Sequence, residues 1–208
     1  PTFQSTQRMA GFSADGNYFL YLESSRDTGA GIPKSRLQVV DVASNRCLES
    51  SCLETNYGES AAKLDLADAE QDLLQQTWKL RQDLGLTPPK TGTALAILSR
   101  SQASDGTETV TVRLQDQDSP LRLRLQQKQV LATQGKGQDR AAMQLEVTYN
   151  GQRRSLDSLG NFRPWVLGYS IREVYLSPDG ERVAVLITAV KPTFEGTLAT
   201  TLVQGFER

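Results

Sequence analysis

Turn dipeptides divide this sequence into short apolar segments, and that spacing limits the fold more than any other feature. Asp15-Gly16, Asn150-Gly151 and Asp179-Gly180 each stand between two such segments, and Asp105-Gly106 marks a further turn. Glycine adopts the positive φ that a tight hairpin turn needs, so each dipeptide predicts two antiparallel strands joined by a turn. The chain is therefore predicted to be mainly β.

One segment departs from this pattern and predicts a long amphipathic helix at about residues 61–84. Its apolar residues recur at spacings of three and four, which places them along one helical stripe. Ser60 is the predicted N-terminal cap, and Gly85 followed by Pro88-Pro89 predicts the end of the helix. We expect this helix to pack across a sheet.

The predicted fold class is mainly β (α+β), in a single domain over residues 1–208. We expect about ten mostly antiparallel strands, arranged in two packed sheets or in propeller-like blades, with the helix across one face. Hydrophobic residues make up 38% of the 208 residues, which is enough to bury a substantial core without stabilisation by disulfides or metal ions.

The two ends of the chain share a repeated motif. Residues 8–22 align without a gap on residues 172–186, and both copies contain an apolar residue, Ser-x-Asp-Gly and a following strand. Propeller repeats of the TolB kind resemble this pattern. We interpret Asp15 and Asp179 as turn residues that accept local backbone hydrogen bonds, and the alternative is a carboxylate for a ligand or metal.

Because chain ends of a compact domain often lie close together, we expect the two copies to pack in one sheet or in adjacent sheets. A lone hairpin is marginally stable, so each copy needs a neighbouring strand. This arrangement predicts that the C-terminal strand packs against the N-terminal one through Val183, Val185 and Ile187 on one side and Phe19 and Tyr21 on the other.

Composition and missing motifs exclude several classes of function. The sequence has no histidine, which rules out a Ser-His-Asp triad and imidazole metal ligands, and it lacks nucleotide-binding and calcium-loop motifs. We therefore predict no cofactor and no metal site. The net charge of −1 disfavours nucleic acid as a partner, and no apolar run is long enough for a membrane span.

Two segments are candidate binding sites. Phe162, Arg163 and Trp165 combine aromatic and basic side chains next to a proline, as binding sites often do, although a core tryptophan with an extended arginine explains them equally well. Arg122 and Arg124 alternate with leucines, so one face of that strand is basic. Either the acidic residues of positions 41–72 lie near these basic strands, or the arginine face binds an anionic partner.

Glu195 is a further candidate binding residue, and it is also the candidate for carboxylate chemistry in the alternative hypothesis. It lies between Phe194 and Gly196, where an apolar neighbour would desolvate the carboxyl group. Glycosidase-like hydrolysis uses a pair of carboxylates, and the sequence brings no second carboxylate to this position.

The two cysteines, Cys47 and Cys52, have four residues between them. So close a pair indicates either one local disulfide or two unrelated thiols. A metal site is less favoured, because two thiolates need two further ligands and imidazole is absent.

Three segments together resemble one family. The opening segment, residues 11–19, reads Gly-Phe-Ser-Ala-Asp-Gly-Asn-Tyr-Phe, the strand Leu-Gln-Val-Val-Asp follows at residues 37–41, and Phe-Glu-Gly occurs late at residues 194–196. They are similar to domain-of-unknown-function family 2259 of bacterial predicted secreted proteins, which tends to carry an Ala-rich helix after its first strands. The resemblance implies export to the periplasm or beyond, but it assigns neither an activity nor catalytic residues.

Export leads to two functional hypotheses and one structural expectation. The favoured hypothesis is a non-catalytic secreted or periplasmic module that binds an envelope protein or an anionic glycan. The alternative is a carboxylate-based hydrolase of cell-envelope polymer, with Glu195 as the essential residue. In an oxidising compartment Cys47 and Cys52 are expected to be joined.

Overall fold

The computed structural model describes residues 1–114 and 119–208, and these residues form fifteen strands in three sheets with little helix. The helical segments are a 3-10 turn at Glu59–Lys63, α1 (Leu66–Gln76) and α2 (Trp78–Asp83). The strands, in chain order, are β1 (Thr2–Gln4), β2 (Thr6–Phe12), β3 (Tyr18–Arg26), β4 (Pro33–Asp41), β5 (Arg46–Cys47), β6 (Leu53–Glu54), β7 (Thr93–Ala94), β8 (Ile97–Gln102), β9 (Glu108–Val112), β10 (Leu121–Val130), β11 (Arg140–Tyr149), β12 (Gln152–Pro164), β13 (Gly168–Leu176), β14 (Arg182–Pro192) and β15 (Thr197–Glu207).

The mainly-β class is confirmed, but the strands form three sheets rather than two. The central sheet has the order β1-β15-β14-β13-β7, and the outer sheet has the order β12-β11-β10-β9-β8. The N-terminal sheet has the order β2-β3-β4-β5, with β6 also paired to β4. Among the strands described, β1 and β15 make the one parallel pair. The molecule is therefore layered, with the central sheet covered on both faces.

Strand β14 shows why the central sheet is buried on both sides. Val183, Val185 and Ile187 belong to the core shared with the outer sheet, whereas Ala184 and Leu186 belong to the core shared with the N-terminal sheet. Successive side chains of a strand point to opposite faces, so a strand buried on both faces is apolar at every position.

The two ends of the chain meet in adjacent sheets, as predicted, but the predicted contact is wrong by one residue. Phe19 and Tyr21 pack with Ala184 and Leu186 rather than with the valines and isoleucine of the other face. A shift of one residue turns every side chain of a strand to its opposite face. The sequence pattern could not choose a face, because both faces of β14 are equally apolar.

The repeated motif forms the same turn twice. In each copy the aspartate accepts hydrogen bonds from the serine two residues before it and from the backbone N–H two residues after it, at 2.6 and 2.9 Å for Asp15 and at 2.5 and 3.1 Å for Asp179. The two turns touch, since a Cβ atom at Gly16 would lie 3.2 Å from the Asp179 carboxylate. The interpretation of both aspartates as turn residues is confirmed.

The long helix predicted at residues 61–84 is wrong. Asp65 is extended (φ −76°, ψ 157°) and its N–H donates to Asp68 Oδ2 at 3.0 Å, so Asp65 caps α1, while Ser60 lies in the preceding 3-10 turn. Thr77 (φ −107°, ψ 5°) separates α1 from α2, and its hydroxyl donates to the Leu73 carbonyl at 2.8 Å. A threonine bonded back in this way competes with regular helix geometry and bends the helix.

Helix α1 covers the far face of the N-terminal sheet. Leu73 packs with the buried residues of β3 and β4 on that face: Leu20, Leu22, Leu37 and Val39. The acidic helix therefore lies on the N-terminal sheet, whereas Arg122 and Arg124 belong to β10 of the outer sheet. The expectation that the acidic residues lie beside the basic strands is wrong.

The predicted disulfide is confirmed. Cys47 in β5 and Cys52 just before β6 are joined with an S–S distance of 2.01 Å. Both short strands pair with β4, at residues 40–41 and 36–37 respectively. The bond therefore closes the loop that covers the middle of β4.

Candidate functional site

A groove follows the junction between the N-terminal sheet and the central sheet. It consists of two adjoining depressions of about 320 and 340 Å³, which share Arg36, Glu54 and Lys191 in their walls. Strands β4 and β6 form one side, β14 and β15 form the other, and the end of β12 closes it. We call this feature the seam groove, and each depression falls at the small end of the range typical of ligand pockets.

Strand β4 places two cations in the groove by simple alternation. Its even-numbered side chains turn to the central sheet, and along the strand they change from apolar to charged. Val40 lies in the shared core, Gln38 bonds to β15, and Arg36 and Lys34 line the groove. The odd-numbered residues, such as Leu37, face α1. A strand with period-two alternation thus carries the basic face.

Glu54 is a carboxylate of the groove and is already paired. Its oxygens lie 3.6 Å from Lys34 Nζ and 3.2 Å from Arg36 Nε. Burial acts to raise the pKa of Glu54, but the charges of Lys34 and Arg36 outweigh burial and hold that pKa below its usual value. Arg36 Nη1 is buried and has no hydrogen-bond partner in the part of the chain described.

Arg26 adds positive charge at one end of the groove. Its guanidinium donates to the backbone carbonyls of Gly31, at 2.7 Å, and Leu64, at 3.0 Å. Carbonyl oxygens satisfy its donors without cancelling its charge. The nearby Asp27 carboxylate accepts from two backbone N–H groups of its own loop, at 2.7 Å each.

Lys191 lies where the two depressions meet, close to the end of β14. Within residues 1–114 and 119–208, no hydrogen bond or ion pair involves its ammonium group. Burial, followed by the nearby charge of Arg36, lowers the pKa of Lys191 to about 8. Lys34 acts in the same direction, while Glu54 and Glu23 act against it.

Two exposed aromatic side chains border the first depression. Trp165 is 55% exposed and Phe194 is 91% exposed. Trp165 has a φ of 58°, a left-handed conformation that is rare for a bulky residue. Its backbone N–H donates to the Asp139 carbonyl at 2.7 Å. Backbone strain of this kind concentrates at ligand-binding sites.

The bulge in β12 explains how Trp165 reaches the groove. The pairing of β11 with β12 is interrupted, because Ala141 pairs with Arg163 and Met143 with Ser158. The extra residues fold around Asp157, whose carboxylate pairs with Arg163 at 2.5 Å. Arg163 also lines the second depression, so this ion pair anchors the end of β12 beside the groove.

The structure brings some of the predicted site residues to the groove and separates the others. Arg163 and Trp165 line it, whereas Phe162 lies against Arg140, with the guanidinium 5.5 Å from its ring centre. Arg122 and Arg124 are exposed on the outer sheet and are separate from the groove residues.

Glu195 lies in the turn between β14 and β15, and its side chain is exposed. Phe194 beside it is itself exposed, so the apolar cover expected for a catalytic carboxyl group is not observed. The hydrolase hypothesis therefore loses the feature on which it was based.

Sequence reasoning missed the cations that define the groove. Lys34 and Arg36 carried a usable signal, since they alternate with buried residues within one strand. Lys191 carried little signal, because it lies at the end of an apolar strand, where a charged residue commonly marks the strand end. Their convergence depends on how two sheets dock, which local patterns do not encode.

Residues 24–205 match the model of a family described as predicted secreted protein (DUF2259), and the chain therefore belongs to that family. The location predicted from the resemblance, outside the cytoplasm, agrees with this description. No curated protein matches the chain. Within the residues described, no helix has both the length and the apolar character needed to cross a membrane.

Proposed function

We propose, from membership of this secreted family and from the groove, that the protein is a non-catalytic binding module for an anionic glycan. The observation that carries the proposal is Lys191, a half-buried cation near Arg36 and Lys34 that makes no ion pair among the described residues. Like charges brought together at partial burial destabilise one another. A bound carboxylate or sulfate would relieve that repulsion.

The charges lining the first depression favour an anion. Arg26, Lys34, Arg36 and Lys191 contribute four positive charges, against Asp27 and Glu54. Glu54 is already shared by two of the cations, and Asp27 is held in its own loop. The remaining donors suit a carboxylate, because hydrogen bonds between charged partners are about twice as strong as neutral ones.

The aromatic border favours a glycan over a free inorganic anion. Trp165 and Phe194 present flat apolar surfaces beside the cations, and such surfaces suit ligands that are apolar on one face and polar at the edge. Sugar rings with acidic groups have this character. Trp165 is also held by a strained backbone, so it is presented without the cost of ordering a flexible loop.

The test compares an oligogalacturonate with its methyl ester, which keeps the same sugar backbone but removes the charge. We expect calorimetric binding of the acidic form and at least about tenfold weaker binding of the ester, the effect of one charge-assisted hydrogen bond. Lys191→Met should weaken the acidic form by a similar factor, while Lys79→Met, an exposed lysine of α2, should not. Equal affinity for acid and ester would overturn the proposal.

A further inference from the structure

We infer that Lys191 is a carbonyl-reactive amine, which captures the open-chain aldehyde or ketone of an acidic sugar in the seam groove as an imine. This inference rests on the proposed function for the choice of an acidic ligand. The reactivity of the amine is independent of the proposed function, because it follows from the surroundings of Lys191.

The groove distinguishes Lys191 from the other lysine that lines it. Lys34 Nζ lies 3.6 Å from a Glu54 oxygen, so that ammonium group is already engaged in an ion pair. Lys191 makes no such pair within the described residues, and its side chain lines both depressions. A ligand in either depression therefore meets this amine.

The groups around Lys191 favour the neutral amine. Arg36 and Lys34 approach it from β4, and the opposing carboxylates are Glu54 of β6 and Glu23 of β3. With a pKa of about 8, roughly a quarter of the Lys191 side chains are uncharged at about pH 7.5, against about one in a thousand for an ordinary lysine. Burial beside a second cation is how proteins make a lysine nucleophilic near neutral pH.

The reaction is balanced without an oxidant or a reductant. The lone pair of Nζ adds to the carbonyl carbon, and proton transfer from nitrogen to oxygen gives a carbinolamine. The hydroxyl group then leaves as water, taking the second proton of the nitrogen, and a C=N bond remains. The cations beside Lys191 suit a carbonyl compound that carries a carboxylate close to the reacting carbon, as the reducing end of a keto-sugar acid does.

The imine can be trapped with cyanoborohydride and located by peptide mass spectrometry. We expect glyoxylate, the smallest aldehyde with a carboxylate, to label Lys191 at least about tenfold faster than the exposed Lys79 of the same molecule at about pH 7.5. The labelling rate of Lys191 should rise with pH and level off above about 8.

A second aldehyde separates this inference from the proposed function. Propanal has no charge, and its rate at Lys79 corrects for its different intrinsic reactivity. An equally high ratio of Lys191 to Lys79 labelling with both aldehydes would uphold the reactive amine and count against an anion site. A higher ratio with glyoxylate than with propanal supports both. If Lys191 is labelled by neither aldehyde faster than Lys79, the inference is overturned, whatever the calorimetry of acidic glycans shows.

Discussion

Lys191 makes anion binding depend on pH near neutrality, because burial and its neighbours lower its pKa to about 8. Below about pH 8 the side chain is a cation and attracts the ligand, and above that value it becomes neutral. We therefore expect affinity for an acidic glycan to fall as pH rises from about 7 to about 9, when calorimetry is repeated at each value. A bound anion stabilises the ammonium form, so the pKa of Lys191 should be higher in the complex.

The matched control for this pH effect is Lys191→Arg. Arginine stays charged throughout this range, so its affinity should change far less between about pH 7 and about pH 9. The same pH dependence in both proteins would assign the effect to some other group.

The backbone of Trp165 is strained, and its aromatic side chain is exposed at the groove. Trp165→Gly would relieve the positive φ, worth about 1–2 kcal/mol, while making the unfolded chain more flexible by roughly 0.5–1 kcal/mol. We expect a free energy of urea unfolding within about 1 kcal/mol of wild type, together with a clear loss of glycan affinity. Trp165→Ala, which keeps the strain, should be less stable than the glycine variant. The opposite order would show that the strain is not stored there.

Glu195 separates the two hypotheses that the sequence left open. In a binding module Glu195→Gln should keep oligogalacturonate affinity within about twofold, because the side chain is exposed at a turn. In a hydrolase the same change would abolish release of reducing ends from envelope polymer. Any such release by the wild-type protein that disappears in the variant would favour the hydrolase.

At the scale of elements, the edge of β15 is covered by side chains rather than by a strand. Beyond its pairing with β1, which ends at Ala199, β15 receives bonds from the N-terminal sheet. Gln38 of β4 bridges two of its backbone groups, donating to the Thr201 carbonyl at 2.8 Å and accepting from the Val203 N–H at 3.1 Å. The buried Glu23 accepts from the Thr201 N–H at 3.0 Å. These bonds join the two sheets next to the groove.

Gln38→Leu tests that connection. The change keeps a similar volume but leaves a buried N–H and a buried carbonyl without their partners, which costs about 1–3 kcal/mol for each group. We expect urea unfolding to show a loss of roughly 2–5 kcal/mol, while Gln71→Leu on the exposed side of α1 stays near wild type. A loss below about 0.5 kcal/mol for Gln38→Leu would show that water replaces these bonds.

The sequence predicted elements well where one local signal decided them. The hairpin at Asn150-Gly151 joins β11 to β12 with Tyr149 opposite Gln152, and Leu121, Leu123 and Leu125 are buried on one face of β10 as their alternation requires. The prediction of a single long helix was wrong because Thr77 has the correct spacing for the stripe but a side chain that bonds back to its own helix. Spacing alone does not report that competition.

The site was less predictable than the fold, because its residues come from distant parts of the chain. Trp165 and Arg163 could be selected from composition, since aromatic and basic residues beside a proline are typical of binding surfaces. Lys191 and Arg36 lie more than a hundred positions apart and belong to different sheets. Only the docking of the sheets brings them to one groove, and no local pattern contains that information.

For the whole molecule, the layering predicts that the C-terminal segment from Ile171 is indispensable. A fragment of residues 1–170 would lose β14 and β15, and with them the buried residues that fill both cores of the central sheet. Each large apolar side chain removed costs roughly 1.5–3 kcal/mol, and several of them together match the whole stability of a domain. We therefore expect poor amide dispersion in NMR spectra of the fragment and no cooperative thermal transition, in contrast to residues 1–208. A well-dispersed, cooperatively melting fragment would show that the N-terminal and outer sheets fold without an intact central sheet between them.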